Sequence, residues 1–273
     1  MNKGDVTTVL RRLGLMHLAD RTRYYWLRIK NRRQNNAFRA AHPTLSLPPD
    51  YLMYEAFQLS YHRYYEGGRE AAEWVRDQLA AHMELPGKHI LDWGCGPGRI
   101  IRHLPQVIGA GCQFTGTDYN PQTVDWCRQH IPGITFLLNG LEPPLPLPDQ
   151  AVDALYGISI FTHLSESSHR LWFRELLRVT KPGGLLLLTT HGAAFKSILT
   201  EAEKKAFDSG SLVVRSNVRE GHRVFAAFQP AEYLRALFAP ETHVVHYVPG
   251  SHTGGRASQD LWVLRKENKL SYR

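Results

Sequence analysis

The segment His89-Ile90-Leu91-Asp92-Trp93-Gly94-Cys95-Gly96-Pro97-Gly98-Arg99 restricts what this chain can become more than any other. A short apolar run ends in an acid, three glycines follow at alternate positions, and a helical pattern comes next. Glycine lets the backbone turn sharply and lets another group come close to it. Strand, glycine-rich turn and helix in that order open a parallel sheet wound with helices. Such sheets bind ligands outside the carboxyl ends of their strands.

The rest of the chain extends that unit. Strands are expected at Gln113–Thr117, Ile134–Leu138, Val152–Ile160 and Leu185–Thr190. Helices are expected at Pro121–His130, where proline suits a first turn, and at Ser165–Val179, opened by a Ser165 cap. Lys181-Pro182-Gly183-Gly184 reads as a turn. Alternation of this kind makes an α/β fold with a mostly parallel sheet covered on both faces. His243–Val248 and Asp260–Arg265 resemble a closing pair of strands, which often adds an antiparallel edge. Residues 191–230 break the rhythm and read as an insertion. Upstream, residues 5–41 look helical and the prolines of residues 42–49 make a linker. Residues 50–83 are helical again, with a break expected at Gly67-Gly68. No internal repeat is visible.

The glycine spacing and its charge speak about the ligand. A dinucleotide fingerprint needs G-x-G-x-x-G, whereas this loop reads G-x-G-x-G and is preceded by Asp92. An anionic pyrophosphate is disfavoured beside that carboxylate, and a ligand carrying an ammonium and a sulfonium is favoured. Asp118 ends the next strand, 20 residues past Gly98, where an acid accepts hydrogen bonds from ribose hydroxyls. Tyr119 and Asn120 follow it, facing the expected adenine. A glycine cluster alone is a weak signal, since it also makes an ordinary tight turn. The weight lies in strand, acid, glycines, helix and second acid occurring together.

Charge is unevenly placed. Residues 1–41 hold ten basic and two acidic side chains, leaving 23 of each sign elsewhere, so the net charge of +8 belongs to the arm. The pI near 9.5 is therefore no nucleic-acid signature of the body. No apolar run approaches the ~20 residues that span a bilayer, and residues 1–5 do not resemble a signal core. Cys95, Cys112 and Cys127 show neither a paired framework nor zinc spacing. A cytoplasmic setting is expected.

Three blocks together resemble the class I S-adenosylmethionine (SAM)-dependent methyltransferases: Leu91 to Arg99, Gly116-Thr117-Asp118, and Leu176-Leu177-Arg178-Val179-Thr180-Lys181-Pro182-Gly183-Gly184. The last is typical of the type-11-like branch, and the resemblance covers roughly residues 70–190. It implies a Rossmann-like seven-stranded sheet, with the last strand reversed, behind an N-terminal helical arm. The domains would then be residues 1–49 as arm and linker and residues 50–273 as the methyltransferase domain. It also implies that SAM is the cofactor. Its methionine half would lie on Asp92, Gly94, Cys95, Gly96, Gly98 and Arg99, with Ser159 nearby. Asp118 would take the ribose, and Asn139, Gly140 and Leu141 would flank the adenine, Asn139 through its side-chain oxygen.

Methyl transfer to a hydroxyl needs alignment and removal of a proton, and histidine is the usual base near neutral pH. His163, just past the Val152–Ile160 strand, is the first candidate, with Glu166 to orient it. His191, in Thr189-Thr190-His191-Gly192, is the second, and His252 lies further off. Packing or capping is the plainer role for each. Tyr61, Tyr65 and Arg69 precede the first strand, where relatives fold a segment over the cofactor; helix packing explains them equally. The loop used for amine methylation is replaced by Gly157-Ile158-Ser159-Ile160, no cysteine nucleophile lies beyond Cys127, and no metal-ligand set is seen, so no metal is expected.

Within the family, the stretches Ile158–Leu164, Thr189–Gly192 and Gln259–Leu264 look most like methyltransferases of glycan assembly. The expected acceptor is a hydroxyl of a glycan or small metabolite. The arm reads as a packing face, as a membrane-surface helix carrying Tyr24, Tyr25 and Trp26, or as an RNA-recruiting segment. The neutral body counts against nucleic acid. An RNA methyltransferase and a non-enzymatic SAM-binding scaffold are the competing functions. The oligomeric state is not legible.

Overall fold

The computed structural model describes residues 15–56, 59–109, 111–215, 220–221, 224–239 and 241–268. The first residues of the expected 5–41 helix lie outside them. The helices are α1 (Met16–Ala41), α2 (Asp50–Ala56), α3 (Tyr61–Ala80), α4 (Leu104–Ile108), α5 (Pro121–His130), α6 (Glu166–Val179), α7 (Glu201–Asp208) and α8 (Ala231–Phe238). The strands are β1 (His89–Trp93), β2 (Gln113–Asp118), β3 (Thr135–Leu138), β4 (Val152–Gly157), β5 (Thr180–Thr190), β6 (Val213–Arg215), β7 (Ala226–Phe228), β8 (Thr242–Val248), β9 (His252–Thr253), β10 (Arg256–Ala257) and β11 (Asp260–Lys266).

Seven strands form one sheet in the order β3-β2-β1-β4-β5-β11-β8. Strands β1 to β5 run parallel to one another. β11 slots between β5 and β8, antiparallel to both, so the expected closing pair is present. The apolar run Leu185–Leu188 shows why the sheet is covered on both faces. Side chains alternate across a strand, so Leu185 and Leu187 enter one core with Ile90 and Tyr156. Leu186 and Leu188 enter the other with Leu91, Trp93 and Trp262. Helices α3 and α5 close the first face through Ala72, Val75, Leu79 and Val124. Helices α6 and α8 close the second through Trp172, Leu176, Leu234 and Phe238. Each buried valine, leucine or phenylalanine among them contributes roughly 1.5–3 kcal/mol relative to exposure.

Three local expectations are corrected. Gly67 and Gly68 do not break a helix, because α3 runs through them. A Cβ on Gly68 would stand 2.3 Å from the Arg99 carbonyl oxygen, so this glycine lets the helix lie against the turn after β1. The 181–184 segment is an irregularity inside β5: Val152 pairs with Thr180, and Ala154 next pairs with Leu185. The fourth strand stops at Gly157, and Ser159 turns the chain with φ 66°.

The 191–230 insertion has its own small core, in which Leu199, Phe207, Val213 and Phe228 gather α7 and the β6–β7 hairpin. The arm has another: Leu27 and Phe38 of α1 pack with Met53, Tyr54, Tyr61 and Tyr64. Tyr64 links that core to the sheet, because its hydroxyl donates to the Pro97 carbonyl oxygen (2.7 Å) and accepts from Arg102 (2.8 Å).

Candidate functional site

A cleft of about 650 Å³ opens at the carboxyl ends of β1, β2 and β4, and a smaller pocket of about 80 Å³ adjoins it. Its floor follows from the glycine turn. Gly94 has φ 76°, and a Cβ there would meet Ile160 at 2.2 Å. The turn is fixed by Gly94 N and Cys95 N, which both donate to the Thr117 carbonyl oxygen (2.9 Å each). Of the expected cofactor residues, Asp92, Gly94, Cys95, Gly96, Arg99, Asp118, Tyr119, Asn120 and Ser159 line the cleft. Asn139, Gly140 and Leu141 line the adjoining pocket with Trp93 and Trp172. Gly98 faces away, with a Cβ position 2.5 Å from Ile131 Cδ1; its role is close packing behind the loop.

Two acids dominate the electrostatics. Asp92 is buried and accepts a hydrogen bond from the Tyr156 hydroxyl (2.7 Å). Burial pushes its carboxyl up to about 7, against the pull of that hydrogen bond. Asp118 accepts from Gly96 N (3.0 Å) and Asn120 N (2.8 Å). Burial still raises it to about 6. Desolvation disfavours a charged carboxylate and a cationic ligand favours it. The floor therefore suits a positively charged group more than an anion. Asn139 lines the adjoining pocket, and its Oδ1 is buried with no hydrogen-bond partner among the described residues. Its amide nitrogen donates to the Gly140 carbonyl oxygen (2.6 Å).

The two rim histidines separate. His163 lines both the cleft and the adjoining pocket. Its Nδ1 lies 2.8 Å from the Phe225 carbonyl oxygen, which can only accept. The proton of a neutral ring is thus held on Nδ1. Glu166 does not orient it, because its carboxylate pairs with Arg170 (2.8 Å). His191 also sets Nδ1 on a carbonyl, that of Ala227 (3.2 Å). Its ring lies between Phe195 and Phe228, with centroids 4.1 and 5.4 Å away. Burial, with His163 nearby, takes it down to about 3. His191 is outside the cleft lining.

The expected substrate residues stand elsewhere. Tyr61 is buried in the arm core, its hydroxyl donating to Asp50 (2.8 Å) and accepting from Arg39 (2.9 Å). Tyr65 packs edge-on against His103 at 4.8 Å. Arg69 pairs with Glu73 on the outer surface of α3 (3.3 Å). His252 is exposed on the β9–β10 hairpin, whose other strand brings Ala257 to the cleft. Among the described residues no group of acids, histidines and cysteines makes a metal site.

Several cleft residues were not read from the sequence: Leu52, Glu55, Thr123, Phe195 and Gln259 line it. Tyr156 touches Asp92 because the two are register partners across β1 and β4, and aligning the two strands would have revealed it. Gln259 closes a small ring: its amide donates to Ser159 Oγ (2.7 Å), and it accepts from Thr189 Oγ1 (2.6 Å), which in turn accepts from Ser159 N (2.8 Å). That ring holds Ser159 in a conformation that costs a non-glycine residue about 1–3 kcal/mol.

Residues 90–184 match a protein-family model described as a methyltransferase domain. The chain is 30% identical over 175 residues to a malonyl-acyl-carrier-protein O-methyltransferase of Serratia marcescens, covering 64% of this chain and 60% of that protein. It is 32% identical over 117 residues to a fatty-acid O-methyltransferase of Mycolicibacterium smegmatis, covering 40% of this chain and 39% of that protein. The chain thus spans less than two thirds of these relatives. A SAM-dependent methyltransferase structure from Mesorhizobium loti superposes with TM-score 0.55 at 20% identity, covering 73% of this chain and 100% of that one. At that identity the likeness is one of fold.

Proposed function

On the premise that this chain carries a domain of the class I SAM-dependent methyltransferase family, we propose that it binds SAM in the cleft and methylates an oxygen acceptor. The residues fit the cofactor. Asp92 and Asp118 supply buried carboxylates for its cationic and hydroxyl-bearing parts, Gly94 leaves room for close approach, and Asn139 Oδ1 is an unpaired acceptor where the adenine amino group is expected. Bound SAM supplies an electrophilic methyl group.

The observation that carries the acceptor chemistry is His163. His163 lines the cleft with its Nδ1 on the Phe225 carbonyl oxygen, and we assign it the role of general base for an acceptor hydroxyl. Phe225 therefore sets the tautomer, and Ser159, Ile160 and Gln259 set the loop from which His163 projects. A hydroxyl of a glycan or small metabolite is the acceptor this reading favours, handled in the cytoplasm with peripheral contact to the inner membrane face. The names of the relatives, malonyl-acyl-carrier-protein and fatty-acid O-methyltransferase, favour a second reading, an acyl carboxylate. A carboxylate is already ionised near neutral pH and needs no base.

Calorimetric titration with SAM and S-adenosylhomocysteine tests the first step, with micromolar-order binding expected. Absence of binding by either ligand would refute it. Methyl transfer from labelled SAM to glycan-bearing and acyl acceptors, by wild type and His163→Ala, separates the two acceptors. A hydroxyl substrate loses turnover in the variant, and a carboxylate substrate keeps it.

A further inference from the structure

Helix α1 carries two apolar faces, and among the described residues only one is covered. Tyr24, Leu27 and Phe38 pack into the arm core, and Asn31 and Asn35 both donate to the Leu59 carbonyl oxygen (2.8 and 3.3 Å). At 3.6 residues per turn, Leu15, Leu18, Trp26 and Ile29 fall roughly opposite that face. They are 40%, 63%, 55% and 76% exposed, and Tyr25 beside them is 48% exposed. Isolated exposed apolar residues are ordinary; a row of them along one helix face is a contact surface.

Cations flank the row on both sides. Arg23 and Lys30 lie along one edge and Arg21 and Arg32 along the other, all exposed. Lys30 Nζ sits 4.5 Å from the centroid of the Trp26 ring. Residues 15–41 hold seven basic side chains and one acid. Placing two copies of this face together would bring cation against cation. Nucleic acid would satisfy the cations but leave the apolar row in water. A bilayer with anionic headgroups satisfies both, because apolar side chains enter the boundary while lysine and arginine meet phosphate.

We propose that the Leu18–Ile29 face of α1, with Leu15 just before it, docks on an anionic lipid bilayer. This deepens the peripheral-contact part of the function proposed above and stands independently of methyl transfer. Docking would also set the cleft close to the lipid surface. Helix α2 lies between the two, with Leu52 and Glu55 lining the cleft and Tyr54 bonded through its hydroxyl to Asp20 of α1 (2.7 Å). Helix axes in contact are about 8–10 Å apart.

Flotation of the full chain with phosphatidylcholine vesicles, with and without phosphatidylglycerol, tests the idea at low and physiological salt. Binding is expected on the anionic vesicles and is expected to weaken with salt, since each basic side chain near such a surface strengthens binding about fivefold. The double substitution Trp26→Glu, Ile29→Glu should weaken it by about tenfold or more. The double substitution Arg21→Glu, Arg32→Glu should do the same without touching the apolar row. All these positions are exposed, so the variants should fold, and SAM titration on the same samples checks that. Wild-type protein that ignores anionic vesicles, or acidic variants that bind as well as wild type, would overturn the proposal. Concentration-dependent dimerisation lost in W26E/I29E, without vesicle binding, would also overturn it by giving the face to a second copy. Vesicle binding with no SAM binding would instead overturn the methyltransferase reading and leave this inference standing.

Discussion

In the glycine-loop half of the cleft, the polar side chains stand at strand ends or on the turns leaving them. Asp92 is inside β1, Asp118 ends β2, and Asn139 follows β3. The opposite half is assembled from distant segments. His163 is held by Phe225, Ser159 by Gln259, and Phe195 comes from the insertion. The first half inherits its geometry from parallel pairing deep in the sheet. The second depends on side-chain hydrogen bonds between chain segments up to 100 residues apart. The proposed cofactor suits the rigid half, and the proposed acceptor suits the adjustable one.

The largest expected effect divides the two rim histidines. His163→Ala should lower kcat on a hydroxyl acceptor by roughly 10²–10⁴-fold, measured at saturating SAM. His191→Ala should leave kcat nearly unchanged and lower Tm, because its ring packs between Phe195 and Phe228 outside the cleft. Equal losses of kcat would instead place His191 in the acceptor chemistry beside His163.

Next in size, Asp118→Ala should weaken SAM binding about a hundredfold by calorimetry, the loss of charge-assisted hydrogen bonds of about 1.5–3 kcal/mol each. Gln259→Ala should leave SAM affinity nearly intact and raise KM for the acceptor instead. A matching loss of SAM affinity in both variants would show that the two halves are one unit.

Gly68→Ala should destabilise the fold by about 1–3 kcal/mol in urea denaturation. In an open helix the same change gains up to about 1 kcal/mol; here the Arg99 backbone stands in the way. A stabilised variant would show that α3 can shift away from the loop.

The same two acids set a pH dependence. Asp92 and Asp118 are raised to about 7 and about 6 by burial. In the unliganded protein the folded state holds these protons more tightly than the unfolded chain. Their stability contribution is therefore full below about pH 4 and lost as pH rises through 6 to 7. A cationic ligand prefers the ionised carboxylates, so SAM affinity should fall as pH drops from 7 to 5, by at most about tenfold per unit for each group. Asp92→Asn should remove the upper part of both profiles, read by thermal melts and calorimetry across pH.

The sequence disclosed the rigid half well, for a physical reason. Its acids and glycines lie in unbroken stretches, Asp92 to Arg99 and Gly116 to Asn120, and local pattern is what a sequence displays directly. The wall made by Glu55, Phe195 and Gln259 has no local signature, because its members meet only after α2, the insertion and β11 have packed. Gly68 misled because a glycine pair in a helical stretch looks like a break, whereas the need it meets lies 31 residues away at Arg99. Tyr61, Tyr65 and Arg69 share a segment with the cleft-lining residues of α2, yet the helix phase turns them towards the arm core or solvent.

The Tyr64 hydroxyl, set between Pro97 and Arg102, ties the outer side of the glycine loop to the arm. A tie of this kind works in both directions. Whatever free energy an occupied loop adds to the ordering of the arm, an ordered arm returns to the occupied loop in equal measure. Residence of the cofactor and grip of the arm are then two readings of a single thermodynamic coupling, and Tyr64→Phe is the substitution that would uncouple them.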